Sequence, residues 1–311
     1  MRILMIILSG LVWLMPAHAE SSDEFAIESL GHGIYVHHGA HLDIDDGYQG
    51  DICNISFVVG SKGVAVIDTG GSLKVGRQLR LAIAEITPLP VLYVINTHVH
   101  PDHIYGNAAF LANQDDELEP EFIGHEKLAT AMGLRQEQYS KLNAKLLGEE
   151  AIGSILVEPS IAVKTTLSLD LGDRQLLLST HPVAHTHTDL SVMDSQTQTL
   201  FTGDLLFIVR TPVVEGDVKG LLAELEKLKG SGAKQVVPGH GPVTQDGVLA
   251  INEAQTYLQV LLSDIRTSIK QGISMEATMA TAAASEKDKW LLFDVANRRN
   301  VNTLYPVLEW E

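Results

Sequence analysis

The chain has 311 residues, of which 45% are apolar, and a formal net charge of -17. That length suits one or two layered domains with a sizeable core, and the acidic balance, with no clustered Lys and Arg, excludes a nucleic-acid partner gripped through its phosphates. Cys53 is the only cysteine, so no internal disulfide can form, and between Asp51-Ile52 and Asn54-Ile55 it is expected to be a buried small side chain rather than a reactive thiol.

The first residues read as targeting. Met1-Arg2 is a short basic start, residues 3–15 are apolar, and Ala17-His18-Ala19 is a small-x-small cleavage site; the apolar stretch is short for a permanent membrane helix. A signal peptide over 1–19 and a mature start near Glu20, in an exported bacterial protein of the periplasm, are expected, with an uncleaved anchor as the alternative. Residues 20–311 then form one domain with a helical extension from about residue 245, beyond the last strand pattern.

In chain order, residues 34–38 predict a strand and 39–51, rich in Gly and Asp, a loop. Residues 54–59 and 64–67 are apolar runs joined by Gly60-Ser61-Lys62-Gly63, a hairpin signal. Asp68-Thr69-Gly70-Gly71-Ser72 follows, and a helix is predicted over 73–85 with Ser72 as its N-cap. The apolar strand 91–95 then runs into Asn96-Thr97-His98-Val99-His100-Pro101-Asp102-His103. Three imidazoles and one carboxylate crowd the end of a buried strand, which points to a metal. His98 and His100, two apart on extended chain, share a side, while Asp102 and His103 approach from the turn. Imidazole with carboxylate suits zinc, with manganese and iron as competitors.

Past the turn, 104–111 predict a short helix, 113–121 an acidic loop and 122–125 a strand. Residues 126–147 predict a helix, or a pair broken near Gly133, that covers the site. Strands predicted over 175–179, 190–193 and 199–202 deliver His185, Asp189 and Asp204 at their ends. An amphipathic helix over 218–228, a final strand over 235–237 leading to Pro238-Gly239-His240-Gly241-Pro242, and helical patterns over 248–270 and 276–284 complete the chain. Strands alternating with helices, with polar residues gathered at strand ends, make an α/β arrangement of two halves facing one site.

In order and spacing, Val66-Ile67-Asp68-Thr69-Gly70, the histidine turn, Ala184-His185-Thr186, Thr202-Gly203-Asp204 and Pro238-Gly239-His240-Gly241 resemble the five motifs of the metallo-β-lactamase superfamily. The resemblance covers nearly the whole mature chain. It implies an α/β fold of the αββα four-layer type, two mixed β-sheets flanked by helices, with a dinuclear site at the edge of the sheets. One metal is implied to be held by His98, His100 and His185, the other by Asp102, His103 and His240, with Asp204 bridging. Two Zn2+ per chain are implied, Fe or Mn being the less usual occupants, and Asp102 and Asp204 take part in catalysis. Asp68 is implied to accept a hydrogen bond that orients a ligand or its turn. Ala184-His185-Thr186-His187-Thr188 offers two imidazoles; the family spacing to Leu190 selects His185 and leaves His187 on the substrate side or behind the ligands, with Asp189 a structural hydrogen-bond partner. His32, His37, His38 and His41 are expected on a surface strand and loop, with residues 34–50 able to shape a substrate pocket, and His125 and His181 are expected to be structural.

The chemistry implied is hydrolysis, in which a metal-bridging hydroxide attacks a carbonyl of an ester, thioester, lactone or amide-like bond of a small-molecule substrate. A carboxylate at Asp204 is glyoxalase-II-like, whereas true metallo-β-lactamases carry Cys or Ser near that point. The charge balance and the export signal disfavour the nuclease members. Mono-iron thiol dioxygenases use fewer ligands, and flavodiiron proteins carry a glutamate where His100 stands. Gly106-Asn107-Ala108-Ala109-Phe110, Phe122-Ile123-Gly124-His125, Arg299-Asn300-Val301 and Leu308-Glu309-Trp310-Glu311 are similar to the SoxH-related, quinoprotein-relay zinc metallohydrolase subgroup, which implies association with a periplasmic quinoprotein dehydrogenase. The alternatives are a β-lactamase-like activity and a non-catalytic periplasmic metal-binding accessory protein. Specificity is expected in loops 39–50, 113–121, 126–147 and 207–216, with Arg210 as an anion-binding group near the site.

Overall fold

A computed structural model describes residues 25–43, 48–111 and 118–311. The expected signal peptide over 1–19, and parts of the loops at 39–50 and 113–121, lie outside the described residues. Strands β1 (Glu28–Gly31), β2 (Ile34–His37), β3 (Ile55–Val59) and β4 (Val64–Ile67) precede helix α1 (Leu73–Ile86), strand β5 (Val91–Ile95) and the one-turn α2 (Pro101–Ile104). A 3-10 turn over Tyr105–Phe110 leads to β6 (Glu121–His125), α3 (Leu128–Leu147), β7 (Ile161–Val163), β8 (Thr166–Asp170), β9 (Gln175–Thr180), β10 (Leu190–Asp194) and β11 (Thr199–Phe207). Helix α4 (Val218–Lys229), β12 (Gln235–His240), α5 (Gly247–Lys270), α6 (Met275–Thr281) and α7 (Phe293–Leu308) finish the chain.

The strands form two mixed sheets. Seven lie in the order β1-β2-β3-β4-β5-β6-β7 and five in the order β12-β11-β10-β9-β8. Strands β4 to β7 pair in parallel, as do β11 and β12, and the rest are antiparallel. Strand alternation explains the layering. Along β4, Ala65 and Ile67 face inward and meet Leu178, Leu190, Val192 and Phe201 of the second sheet. Val64 and Val66 face outward against Val75, Leu79 and Ile83 of α1. The outer face of the second sheet, through Leu200 and Val236, is covered by Leu221 and Leu225 of α4, Leu258 and Leu261 of α5 and Leu304 of α7. The result is the four-layer αββα sandwich, in which strands buried on both faces read as continuous apolar runs.

Ser72 caps α1 as expected, its hydroxyl accepting from the Val75 N–H. Helix α3 does not break at Gly133: it is continuous, and a side chain built at Gly133 would meet nothing within 4 Å. A single glycine costs a helix about 1 kcal/mol relative to Ala but removes no hydrogen bond. The expectation of a surface strand holding His37 is also corrected. The ring of His37 is buried, stacked on Phe25 at 3.7 Å and bonded to Asp51 and the Ala26 carbonyl, whereas His38 is exposed beside Glu28. Among the described residues no helix is long and apolar enough to cross a membrane.

Candidate metal centre

All seven residues expected to hold metal converge on one edge of the two sheets. Strand β4 ends at Asp68, β5 at the histidine turn and β12 at His240; β11 carries Asp204 within it, and the β9–β10 connection carries His185. Strand β11 runs past its predicted end because β12 pairs with it through an irregular register at Gly203. Gly203 has φ +50, and a Cβ there would stand 2.6 Å from Thr97; a Cβ on Gly239 would stand 2.0 Å from Asp204 Oδ1. Only glycine lets these backbones approach so closely. Asn54 ties the halves together, its amide donating to the carbonyls of Pro238 and Gly241, both at 2.8 Å, on either side of His240.

Each of the five imidazoles gives one ring nitrogen to an oxygen, which determines where the other points. His103 Nδ1 donates to Asp68 Oδ2 at 2.8 Å. His185 Nδ1 donates to the Val213 carbonyl at 2.8 Å and His240 Nδ1 to the Ile52 carbonyl at 2.6 Å. Thr97 Oγ1 donates to Asp68 Oδ2 at 2.7 Å and so accepts from His98 Nδ1 at 3.0 Å. His100 turns the other way, its Nε2 donating to Glu215 Oε2 at 2.5 Å. The nitrogens left over, Nδ1 of His100 and Nε2 of the other four, all face the cluster.

Those nitrogens crowd one another. His98 Nε2 and His185 Nε2 each lie 3.0 Å from His100 Nδ1, and Asp204 Oδ2 stands 3.3 Å from His185 and 3.7 Å from His98. In the second group, His240 Nε2 is 3.4 Å from Asp204 Oδ2 and 3.5 Å from Asp102 Oδ2. His103 Nε2 is 3.2 Å from Asp204 Oδ1, yet both atoms are buried with no hydrogen-bond partner. Zinc bonds of about 2.0–2.2 Å in a tetrahedron require donor atoms about 3.3–3.6 Å apart. The donor set and the two atoms without a hydrogen-bond partner therefore fit divalent metal, with the His185, His240, Asp102 and Asp204 separations of 3.3–3.5 Å in that range and the 3.0 Å imidazole pairs needing to open slightly: {His98, His100, His185, Asp204} and {His103, Asp204, His240} each bring their donor atoms within 4.8 Å, as do {Cys53, Asp102, His103}.

The electrostatics favour a cation. Burial alone would lower the His103 pKa, but Asp204, Asp102 and Asp68 raise it well above the ordinary value. Burial likewise lowers His185, and Asp204 and Asp189 raise it to about 9. Potential that attracts a proton to these nitrogens attracts a metal ion equally. At Asp204 burial works against the charge, and His240, His103 and His98 outweigh it, holding the carboxyl well below the usual range. Burial pushes His98 well below its ordinary value and pushes the Cys53 thiol well up. Cys53 thus stays a thiol, donating to the Asp102 carbonyl at 2.8 Å.

Asp68 lies at the foot of the site and holds the turn by also accepting from the Thr97 N–H at 2.8 Å. Asp189 accepts from the Thr186 N–H at 2.9 Å and so shapes the bend after His185. His187 is exposed while His185 is buried, so only His185 joins the cluster. Arg210 is buried behind His240, its Nη1 3.4 Å from the Ile52 carbonyl, and burial lowers its pKa. Reasoning from sequence missed Glu215, Arg135 and the carbonyls of Val213 and Ile52. It noted Arg299-Asn300-Val301 and Asn107 only as resemblances. Asn300 accepts from the Val214 N–H at 2.9 Å and donates to the Pro212 carbonyl at 2.7 Å, clamping the loop that carries Glu215. Asn107 and Asn96 exchange two amide bonds beneath the histidine turn.

Known structures share this architecture at low identity. A metallo-beta-lactamase from Pontibacter korlensis superposes with a TM-score of 0.59 at 19% identity, over 75% of this chain and 98% of that one. A beta-lactamase domain protein from Burkholderia ambifaria gives 0.69 at 14%, over 94% and 92%. The inverting sec-alkylsulfatase Pisa1 from Pseudomonas sp. gives 0.64 at 15%, over 90% of this chain and 50% of that one, so the chain spans half of that enzyme's length. No curated protein matches the chain. A sequence model of the metallo-beta-lactamase superfamily matches residues 48–240, the span from Tyr48 to the last imidazole of the cluster, and this chain belongs to that superfamily.

Proposed function

We propose that the protein is a periplasmic, dinuclear zinc-dependent hydrolase acting on an ester, thioester, lactone or amide-like bond of a small molecule. The observation that carries this reading is the inward aim of five imidazole nitrogens and two carboxylates, with His103 Nε2 and Asp204 Oδ1 buried without a hydrogen-bond partner. His98, His100 and His185 would hold one ion and Asp102, His103 and His240 the other, with Asp204 between them. Such a pair of ions supplies Lewis acidity and brings the pKa of bound water to about 7. The protein's own part is preorganisation: Asp68, Val213, Ile52 and Glu215 each hold an imidazole by its far nitrogen, so the donors need no rearrangement to act.

Export rests on the basic, apolar and small-residue pattern of residues 1–19. The SoxH-related subgroup, and with it a quinoprotein dehydrogenase as the partner system, rests on the sequence resemblance carried by Gly106-Asn107-Ala108-Ala109-Phe110, Phe122-Ile123-Gly124-His125, Arg299-Asn300-Val301 and Leu308-Glu309-Trp310-Glu311. The test is elemental analysis of the purified mature protein together with Asp204→Ala and His240→Ala, followed by a panel of esters, thioesters, lactones and lactams. About two zinc per chain, falling towards one in both variants, with turnover above the metal-only background, is the expected result for a two-metal site. Predominant iron redirects the chemistry to oxidation, turnover of lactams alone restores the β-lactamase alternative, and bound zinc without turnover of any substrate favours the accessory role.

A further inference from the structure

Four of the five imidazoles are anchored to buried or part-buried groups that are backbone or packed side chains: the Val213 and Ile52 carbonyls, Asp68, and Thr97. His100 is the exception, because its Nε2 rests on Glu215, whose side chain is 44% exposed. A half-exposed glutamate would wander among rotamers unless something held it. Two things do. Its backbone segment hangs from the carbonyl of His185, to which the N–H groups of Glu215 and Gly216 donate at 3.3 and 2.7 Å. Its second carboxylate oxygen accepts from Arg135 Nη2 of helix α3 at 2.9 Å. Arg135 comes from the half of the chain that carries the histidine turn, and Glu215 from the half that carries His185, so the three side chains link the two halves at the rim of the cluster.

We propose that Arg135 and Glu215 are positioning residues acting in series, from helix α3 through Glu215 to His100, and that they couple occupancy of the three-histidine half of the centre to the seating of α3. The inference rests on the reading of the cluster as a metal centre. Glu215 acts on His100 by accepting from its Nε2 and so fixing which ring nitrogen faces inward, the orienting role carboxylates play behind metal-bound histidines. Arg135 acts only through Glu215.

Zinc affinities of the metal-stripped full chain, measured by competition with a chromogenic chelator, test this in Glu215→Ala, Glu215→Gln, Arg135→Met and the double variant Arg135→Met/Glu215→Ala. One of the two zinc affinities is expected to fall about 10- to 100-fold in Glu215→Ala, with partial recovery in Glu215→Gln, which keeps an acceptor for Nε2–H. Arg135→Met should lower the same affinity by a smaller factor, and the double variant should bind no more weakly than Glu215→Ala, because two residues in series do not add. Hydrogen exchange gives a second readout: zinc should protect the backbone amides of 128–147 in the unmodified chain, and less in Arg135→Met. Unchanged affinity and exchange in Arg135→Met, or losses that multiply in the double variant, overturn the relay while leaving the metal centre standing. Failure of the unmodified chain to bind zinc removes the metal-centre reading, and the relay with it.

Discussion

Replacing Asp68 by Asn tests the foundation of the site with minimal disturbance of shape. Asp68 is 2% exposed and its backbone has φ 59, a left-handed conformation that Asn tolerates better than other side chains. The carboxylate accepts three hydrogen bonds: from the Thr97 N–H on Oδ1, and from the Thr97 hydroxyl and His103 Nδ1 on Oδ2. An amide offers one acceptor oxygen. Placed toward Thr97 Oγ1 and His103, it turns its NH2 against the Thr97 N–H; flipped, it leaves the hydroxyl and the imidazole facing donors. At least one buried donor is stranded either way, at a cost of about 1–3 kcal/mol. Loss of the charge behind His103 also weakens a metal ligand, for which about 10- to 100-fold in affinity is typical, or about 1.4–2.7 kcal/mol. Urea denaturation of the metal-stripped protein should therefore show a stability loss of about 1–3 kcal/mol, and zinc competition a loss of about tenfold or more. An unchanged unfolding midpoint together with a zinc affinity within about twofold of the original would refute the argument that Asp68 holds the turn and aims His103.

Three further outcomes follow from the geometry. Elemental analysis of His185→Ala should show bound zinc reduced towards one per chain, while the exposed His187→Ala keeps its full content; equal losses would mean that both imidazoles reach metal. Below about pH 9 the metal-free His185 ring carries a proton, which zinc must displace, so zinc affinity should rise with pH up to that value. Calorimetric titrations near pH 7 in buffers of differing ionisation enthalpy should then report proton release, and a buffer-independent heat would contradict it. Asn300→Ala strands the Val214 N–H and the Pro212 carbonyl and should cost about 1–3 kcal/mol in chemical denaturation, with faster hydrogen exchange across 212–216; exchange confined to α7 would show that the clamp does not reach the loop.

Periodicity and adjacency made much of the molecule legible before any coordinates. The apolar runs at β3 and β4 are buried on both faces, as is β5 at its end, Val94 and Ile95, and such runs keep their strand signature whatever covers them. Ser72 bonds its own helix three residues on, and His98, His100, Asp102 and His103 are brought together by one turn, so local chain geometry alone gathers them. Strands β1 and β8 escaped because they are short and largely exposed, with polar residues that turns also favour, and β7 because its three residues, Ile161–Val163, are too few to show a period. Helix α7 falls within the expected helical extension from about residue 245, but its bounds were not legible because Pro306 and a run of Asn and Arg mask its apolar stripe of Phe293, Val301, Leu304 and Leu308.

What sequence determined by itself was therefore the crowding of His98, His100, Asp102 and His103 on one turn, which short spacing makes legible, while the sandwich and the candidates His185, Asp204 and His240 were legible through the resemblance of five motifs to the superfamily. What only the tertiary structure decided was how the donors are aimed. Glu215 meets His100 across 115 residues and Ile52 meets His240 across 188. Nothing in residue type marks the carbonyls of Ile52 and Val213, because every residue carries one. Which ring nitrogen faces inward is set by whichever distant oxygen the packed loops bring behind it, and that contact exists only once both sheets are assembled.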